Sequence, residues 1–292
     1  MKPAPFDYVV ADSVESAVAA LGDAGGDGKI VAGGQSLVPM LNFRLLRPSV
    51  LVDINRIPGL SGIEDRGDAI RVGALTRHAM LETSDIIAAH FPVLSEAMTF
   101  VAHLAIRNRG TIGGSLSHAD PAAELPMITM LLDAKIGIAS GAGRRVVAPA
   151  DFFLGALTTD LGDDDLVTDI EFPKLPPGTG WGFEEVARRS GDFALACVAA
   201  TISMTDGVMG EVRIGMMGVG ETAMRAADAE ALLTGQPRLT DELIDEAVAA
   251  VRSAVEPNTD LHASSDYRRY LVGVLARRAL LAAWQRSGGA TA

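Results

Sequence analysis

Val31-Ala32-Gly33-Gly34-Gln35-Ser36 and Gly110-Thr111-Ile112-Gly113-Gly114-Ser115 are the two stretches on which the reading of this chain turns. Each sets a Gly-Gly pair at the end of a short apolar stretch, with a hydroxyl residue close behind. Glycine admits positive φ and carries no Cβ, so successive N–H groups can approach an anion closely. A serine or threonine hydroxyl beside them adds a donor. Two such loops face to face could cradle the diphosphate of a dinucleotide without a lysine or arginine. Each loop taken alone also reads as a tight turn, and the residues by themselves leave both readings open.

Outward from the loops, the pattern mixes strands and helices. Ser13 is placed to cap a helix with the apolar face Val14, Ala17, Val18 and Leu21, and Gly22 is placed to end it. Residues 29–32, 50–54 and 69–73 read as strands and 92–101 as a helix. Asp120-Pro121 predicts a helix start, with Asp as N-cap and Pro at the first helical position. After Leu132 come strands over 135–139, 145–148 and 166–172. The run from Pro173 to Gly180 reads as a linker. Beyond it, 181–186, 196–204 and 211–217 read as an antiparallel sheet, with helices from about Thr222, Thr240 and Ser264. The expected class is α+β, with one domain over 1–175, divided near 55–60, and a second over 176–292.

Composition excludes several classes of function. The chain has 292 residues, 48% of them hydrophobic, which suits two domains with substantial cores. No apolar run approaches the roughly 20 residues a membrane span needs. The first residues hold no apolar signal segment, so a cytoplasmic protein is expected. The net charge of −12 argues against a nucleic-acid partner. The single cysteine, Cys197, lies in an apolar run and reads as a core residue; one cysteine cannot ligate an iron–sulfur cluster within this chain.

The two loops and their surroundings resemble one family over nearly the whole chain. Ala32-Gly33-Gly34-Gln35-Ser36-Leu37-Val38-Pro39-Met40, then Arg44, Pro48 and Leu51-Val52-Asp53-Ile54-Asn55, is similar to the first flavin-binding segment of the FAD-carrying medium subunits of molybdenum hydroxylases. That family includes the aerobic carbon monoxide dehydrogenases and xanthine dehydrogenases. Residues 106–115 resemble its second segment, and the likeness continues through 120–126, 151–155, 170–173, 188–194 and 266–268.

The resemblance implies a vanillyl-alcohol-oxidase-type (PCMH-like) fold, with FAD between two α+β subdomains and a smaller C-terminal domain covering it. Carried over by position, Ala32, Gly33, Gly34, Gln35, Ser36 and Leu37 would bind the diphosphate region together with Thr111, Ile112, Gly113, Gly114 and Ser115. Glu124 matches an acidic residue that hydrogen-bonds the ribityl chain. Val72 and Val167 match apolar residues lining the cofactor, and Phe193 a position beside the isoalloxazine ring. No residue here is expected to be catalytic toward an organic substrate. The partners implied are a large subunit with the molybdenum cofactor and a small one with [2Fe–2S] clusters, in a dimer of heterotrimers.

Two departures stand out. Gln35 replaces a histidine common in relatives, and Glu184 and Glu185 stand where some relatives carry a lysine near the flavin. Several other signals carry less. Gly218-Val219-Gly220-Glu221-Thr222-Ala223 fits a dinucleotide fingerprint, but its predicted antiparallel setting points to a turn between sheet and helix. The five histidines show no metal spacing, and Ser117-His118-Ala119-Asp120 lacks the geometry of a triad. Arg144-Arg145 read as solvated loop charges and Arg268-Arg269 as a solvated helix face.

Overall fold

The computed structural model describes residues 2–289. Its first unit runs β1 (Asp7–Val10), α1 (Val14–Asp23), β2 (Gly28–Val31), α2 (Leu37–Asn42) and β3 (Val50–Asp53), with β3 paired in parallel to both other strands. Parallel neighbours need crossovers, which the two helices supply. Ser13 caps α1 as expected: its hydroxyl accepts from Ser16 N at 3.0 Å, and Ser16 Oγ accepts from Ser13 N at 3.1 Å. Gly22 does not end this helix, which continues to Asp23; the left-handed conformation that terminates it belongs to Gly25, at φ +56°. Ala17, Val18 and Leu21 pack with Val52 and Ile54 into a small core.

The second unit contains β4 (Ile63–Asp65), β5 (Ala69–Gly73), α3 (His78–Thr83), α4 (Asp85–His90), α5 (Pro92–Phe100), α6 (Leu104–Arg107), α7 (Ile112–His118) and α8 (Glu124–Leu131). It continues with β6 (Lys135–Ser140), β7 (Gly143–Val147), α9 (Pro149–Phe152), the hairpin β8 (Phe153–Gly155) and β9 (Thr158–Thr159), and β10 (Leu166–Pro173). Its sheet order is β4-β5-β10-β6-β7, antiparallel throughout. The central strand β10 buries most of its residues, and Phe91, Leu94, Met98, Leu125, Phe152 and Phe172 complete the core. Each such side chain, fully buried, contributes about 1.5–3 kcal/mol.

Asp120 does not cap α8. Its carboxylate accepts from Ala122 N at 2.9 Å and its carbonyl from Ala123 N at 3.1 Å, closing a turn, and the helix starts at Glu124. The Pro121 carbonyl accepts from Gly218 N at 2.9 Å, so a long-range bond holds this segment out of the helix. Arg144 and Arg145 lie on strand β7, not in a loop, and both are paired: Arg144 with Asp169 at 3.0 Å, Arg145 with Asp165 at 2.7 Å.

The third unit is the antiparallel sheet β11 (Gly180–Ala187), β12 (Ala194–Thr205), β13 (Val208–Met217) and β14 (Met224–Arg225), in that order, followed by α10 (Ala227–Leu233), α11 (Asp241–Ser253) and α12 (Ser265–Arg286). Thr240 and Ser264 cap the last two helices; the helix expected from Thr222 begins at Ala227 because β14 intervenes. Gly180 and Gly182 let α12 press onto β11, since a Cβ at either would strike the carbonyl of Ala283 or Ala279. Gly218 sits at φ +75° in a turn, but that turn joins β13 to β14 within the sheet and not the sheet to a helix. Arg268 is not on a solvated face. It is buried, and its guanidinium donates to Leu195 O at 2.6 Å, Gly218 O at 3.1 Å and Asp260 at 2.7 Å. Cys197 is buried on β12, as its apolar neighbours predicted. No helix among the described residues is long and apolar enough to cross a membrane. The expected α+β class holds.

Candidate functional site

Where the three units meet lies a cleft of about 780 Å³, within the size range of ligand sites. The first unit contributes residues from Leu21 to Ile54, the second from Ala74 to Val167, and the third the turn Gly191-Asp192-Phe193.

The first glycine loop leaves β2 and enters α2. None of the backbone N–H groups from Gly33 to Leu37 donates to a protein acceptor among the described residues. Gly34 takes φ +71°, which helps bring successive N–H groups to one side. Gln35 serves the loop itself: its Nε2 donates to Gly33 O at 2.9 Å. Ser36 stands at the N-cap of α2 with no capping bond from its hydroxyl, which stays free to face a ligand.

The second loop is built differently from expectation. Thr111 is the N-cap of α7 and accepts from Gly114 N at 3.2 Å, so Gly113 and Gly114 are helical. Ile112 N donates to Thr76 O at 3.1 Å, Gly113 N to Ala74 O at 2.9 Å and Ser115 N to Thr111 O at 3.0 Å. Four N–H groups read as anion donors are therefore spent within the protein. Thr111 itself forms an isolated bridge with Arg77. What this loop offers is a surface without side chains. Gly113 is pressed on Ala74, a Cβ at Gly114 would meet only Thr111 Oγ1, at 2.8 Å, and the Ser115 hydroxyl borders the cleft.

The loops touch each other. A Cβ at Gly33 would strike the carbonyl of Arg109. A chain of side-chain bonds locks this contact: Asn55 Nδ2 donates to Ala32 O at 2.9 Å, Arg77 Nη2 to Asn55 Oδ1 at 2.7 Å, and Arg77 Nη1 to Arg109 O.

Glu124, at the start of α8, borders the cleft while only 8% exposed. Burial pushes its carboxyl up to about 7; a backbone hydrogen bond opposes that rise and the charge of Asp120 adds to it. Behind it, Glu185 pairs across β11–β12 with Cys197, and its Oε2 is buried with no hydrogen-bond partner. Burial, then the charge of Glu124, raises Glu185 to about 8. Burial also raises the Cys197 thiol, helped by the charges of Glu185, Glu124 and Glu184. Glu184 faces the other way, 4.0 Å from Arg278.

Of the remaining candidate residues, Ala32 and Val167 border the cleft, and so does Phe193, which is 68% exposed and outside every core. Val72 and Ile112 do not border it. Both side chains are fully buried in the core of the second unit, because β5 and the first turn of α7 turn them toward the sheet–helix interior. Of the contributors that escaped sequence reading, two bear on the chemistry of the site. One is the segment from Leu157 to Asp165, whose acidic run resembles solvated loop; Asp165 is held there by Arg145 and by Gly162 N, at 2.8 Å. The other is His78.

These residues fit a flavin dinucleotide. Five adjacent N–H donors suit a diphosphate, the bare surface at Gly114 permits close approach, and Glu124 can accept from sugar hydroxyls.

Comparison with known proteins agrees. Residues 4–175 match the family described as the FAD binding domain in molybdopterin dehydrogenase, and residues 181–283 match the CO dehydrogenase flavoprotein C-terminal domain. The chain is 44% identical to the 6-hydroxypseudooxynicotine dehydrogenase complex subunit alpha of Paenarthrobacter nicotinovorans, covering 98% of this chain and 97% of that one. Among solved structures, a carbon monoxide dehydrogenase chain from Hydrogenophaga pseudoflava superposes with a TM-score of 0.95 at 40% identity, over 98% of this chain and 99% of that one. A chain of quinoline 2-oxidoreductase from Pseudomonas putida 86 gives 0.92 at 38% identity, over the same shares. The chain belongs to the family of FAD-binding flavoprotein subunits of the molybdopterin dehydrogenases, a family of oxidoreductases.

Proposed function

We propose that this chain is the electron-transfer subunit of a cytoplasmic heterotrimeric molybdenum hydroxylase, taking electrons from a small [2Fe–2S] subunit and passing them to an external acceptor. Substrate oxidation then belongs to a large subunit with the molybdenum cofactor, and two heterotrimers associate. The observation that carries this reading is the run of free N–H groups from Gly33 to Leu37 at the wall of a dinucleotide-sized cleft. Relatives are named as subunits of complexes, which supports the division of labour. The one cysteine is buried, so a cysteine-ligated cluster has to come from another chain.

Bound FAD supplies a redox centre able to take electrons singly and release them in pairs. The first loop would hold its diphosphate, and the bare surface at Gly114 would let it approach α7. Glu124, with its pKa near 7, can accept from or donate to the ribityl hydroxyls. Phe193, exposed at the edge of the cleft, would cover the ring end of the bound flavin.

The test is to purify the chain alone and with its co-expressed neighbours, then record visible spectra and cofactor content. FAD in the complex, with iron and molybdenum on the other chains, is expected. No FAD in either preparation would overturn the reading, as would a flavin-loaded lone chain that oxidises an organic substrate unaided.

A further inference from the structure

His78 is the first residue of α3, where its N–H donates to Gly110 O at 3.0 Å. Its imidazole packs against the second loop; a Cβ at Gly110 would lie 2.8 Å from His78 Cε1. The ring is 6% exposed, borders the cleft, and neither Nδ1 nor Nε2 has a hydrogen-bond partner. An unsatisfied buried polar atom costs about 1–3 kcal/mol, and here one ring carries two. Desolvation holds its pKa down to about 4; the Thr111 backbone, near enough to the ring to interact but outside hydrogen-bond geometry, opposes that shift, and the charges of Arg107 and Arg77 add to it. The ring is thus neutral near pH 7, with one nitrogen a donor and the other an acceptor.

The geometry points to His78 as a cofactor-binding residue, whose imidazole hydrogen-bonds a polar atom of the dinucleotide in the cleft. This rests on the FAD reading above. The ring adjoins Gly110, where the two loops touch, so its partner belongs to the middle of the cofactor: a diphosphate oxygen or a group on the flavin half. A side chain kept only for packing would serve better as leucine, which fills similar space without two unmet polar atoms.

That contrast defines the experiment. Full-length wild type, His78→Leu and His78→Gln are stripped of flavin, and apo melting temperatures and affinities for FAD, FMN and ADP are measured by fluorescence titration. His78→Leu should melt at or above the wild-type temperature yet bind FAD about 10-fold more weakly. His78→Gln, which keeps a donor and an acceptor, should recover most of the affinity. A parallel loss for ADP assigns the contact to the diphosphate; a loss for FMN alone assigns it to the flavin half. Unchanged FAD affinity in a folded His78→Leu overturns the proposal. If wild type itself binds no FAD, it is the functional reading that fails.

Discussion

Gly33 lies directly on the carbonyl of Arg109, so close that no Cβ fits between the two glycine loops. The glycine that looked reserved for a ligand is required first by the protein's own backbone. The second loop carries a parallel case, Gly113 on Ala74. Gly114 differs, because a Cβ there would meet only the tip of Thr111.

This separates two kinds of glycine variant. Gly33→Ala should force the loops apart and lower both the apo melting temperature and the FAD content. Gly114→Ala disturbs the Thr111 cap, a loss of about 1 kcal/mol, which the gain in helix propensity of similar size offsets. Its apo melting temperature should match wild type while FAD affinity falls, because the methyl group intrudes on the cleft. Differential scanning fluorimetry and flavin titration on both variants check this; full FAD affinity in Gly114→Ala would refute the close-approach surface.

The pair Glu124 and Glu185 predicts a pH dependence of stability. Both carboxyls have folded pKa values raised above the ordinary carboxylate value, to about 7 and about 8. Their stabilising contribution is therefore fully present below the unfolded pKa near 4.5, and is lost as pH rises through 7 and 8. Apo Glu185→Gln should match wild type near pH 4.5 and melt roughly 2–5 °C higher above pH 8. A variant less stable than wild type at pH 8.5 would mean Glu185 has a cationic partner.

Arg268 joins α12 to β12 and to the turn at Gly218 through three acceptors. Arg268→Ala leaves two carbonyls without their donor and should cost about 3 kcal/mol. Lysine cannot span the same three acceptors and should rescue little. Chemical denaturation measures this; a loss below about 1 kcal/mol would place Arg268 with ordinary surface charges.

Cys197 is fully buried and its thiol is held well above the ordinary pKa, so little thiolate forms. It should not react with a thiol reagent in the native protein and should react once in denaturant. Rapid labelling of the native chain would show that β11 and β12 open.

The sequence by itself determined the features that rest on local chemistry. The Ser13, Thr240 and Ser264 caps, the alternating strands, the antiparallel C-terminal sheet and the glycine pairs were legible because a cap, a period or a missing Cβ acts within a few residues. Local reading misplaced the ends of α1 and α8, where Gly25 and the bond from Gly218 N to Pro121 O prevail. Only the tertiary structure decided which donors remain free: the first loop keeps five N–H groups, while the second spends four on Thr76, Ala74 and Thr111. It also turned Val72 and Ile112 into the core and exposed Phe193. It buried Arg268 among carbonyls, set Glu185 behind Glu124 and left His78 unpartnered in the cleft. Each of these depends on which distant segment arrives to satisfy or bury a polar group, and a residue's type and near neighbours do not carry that information.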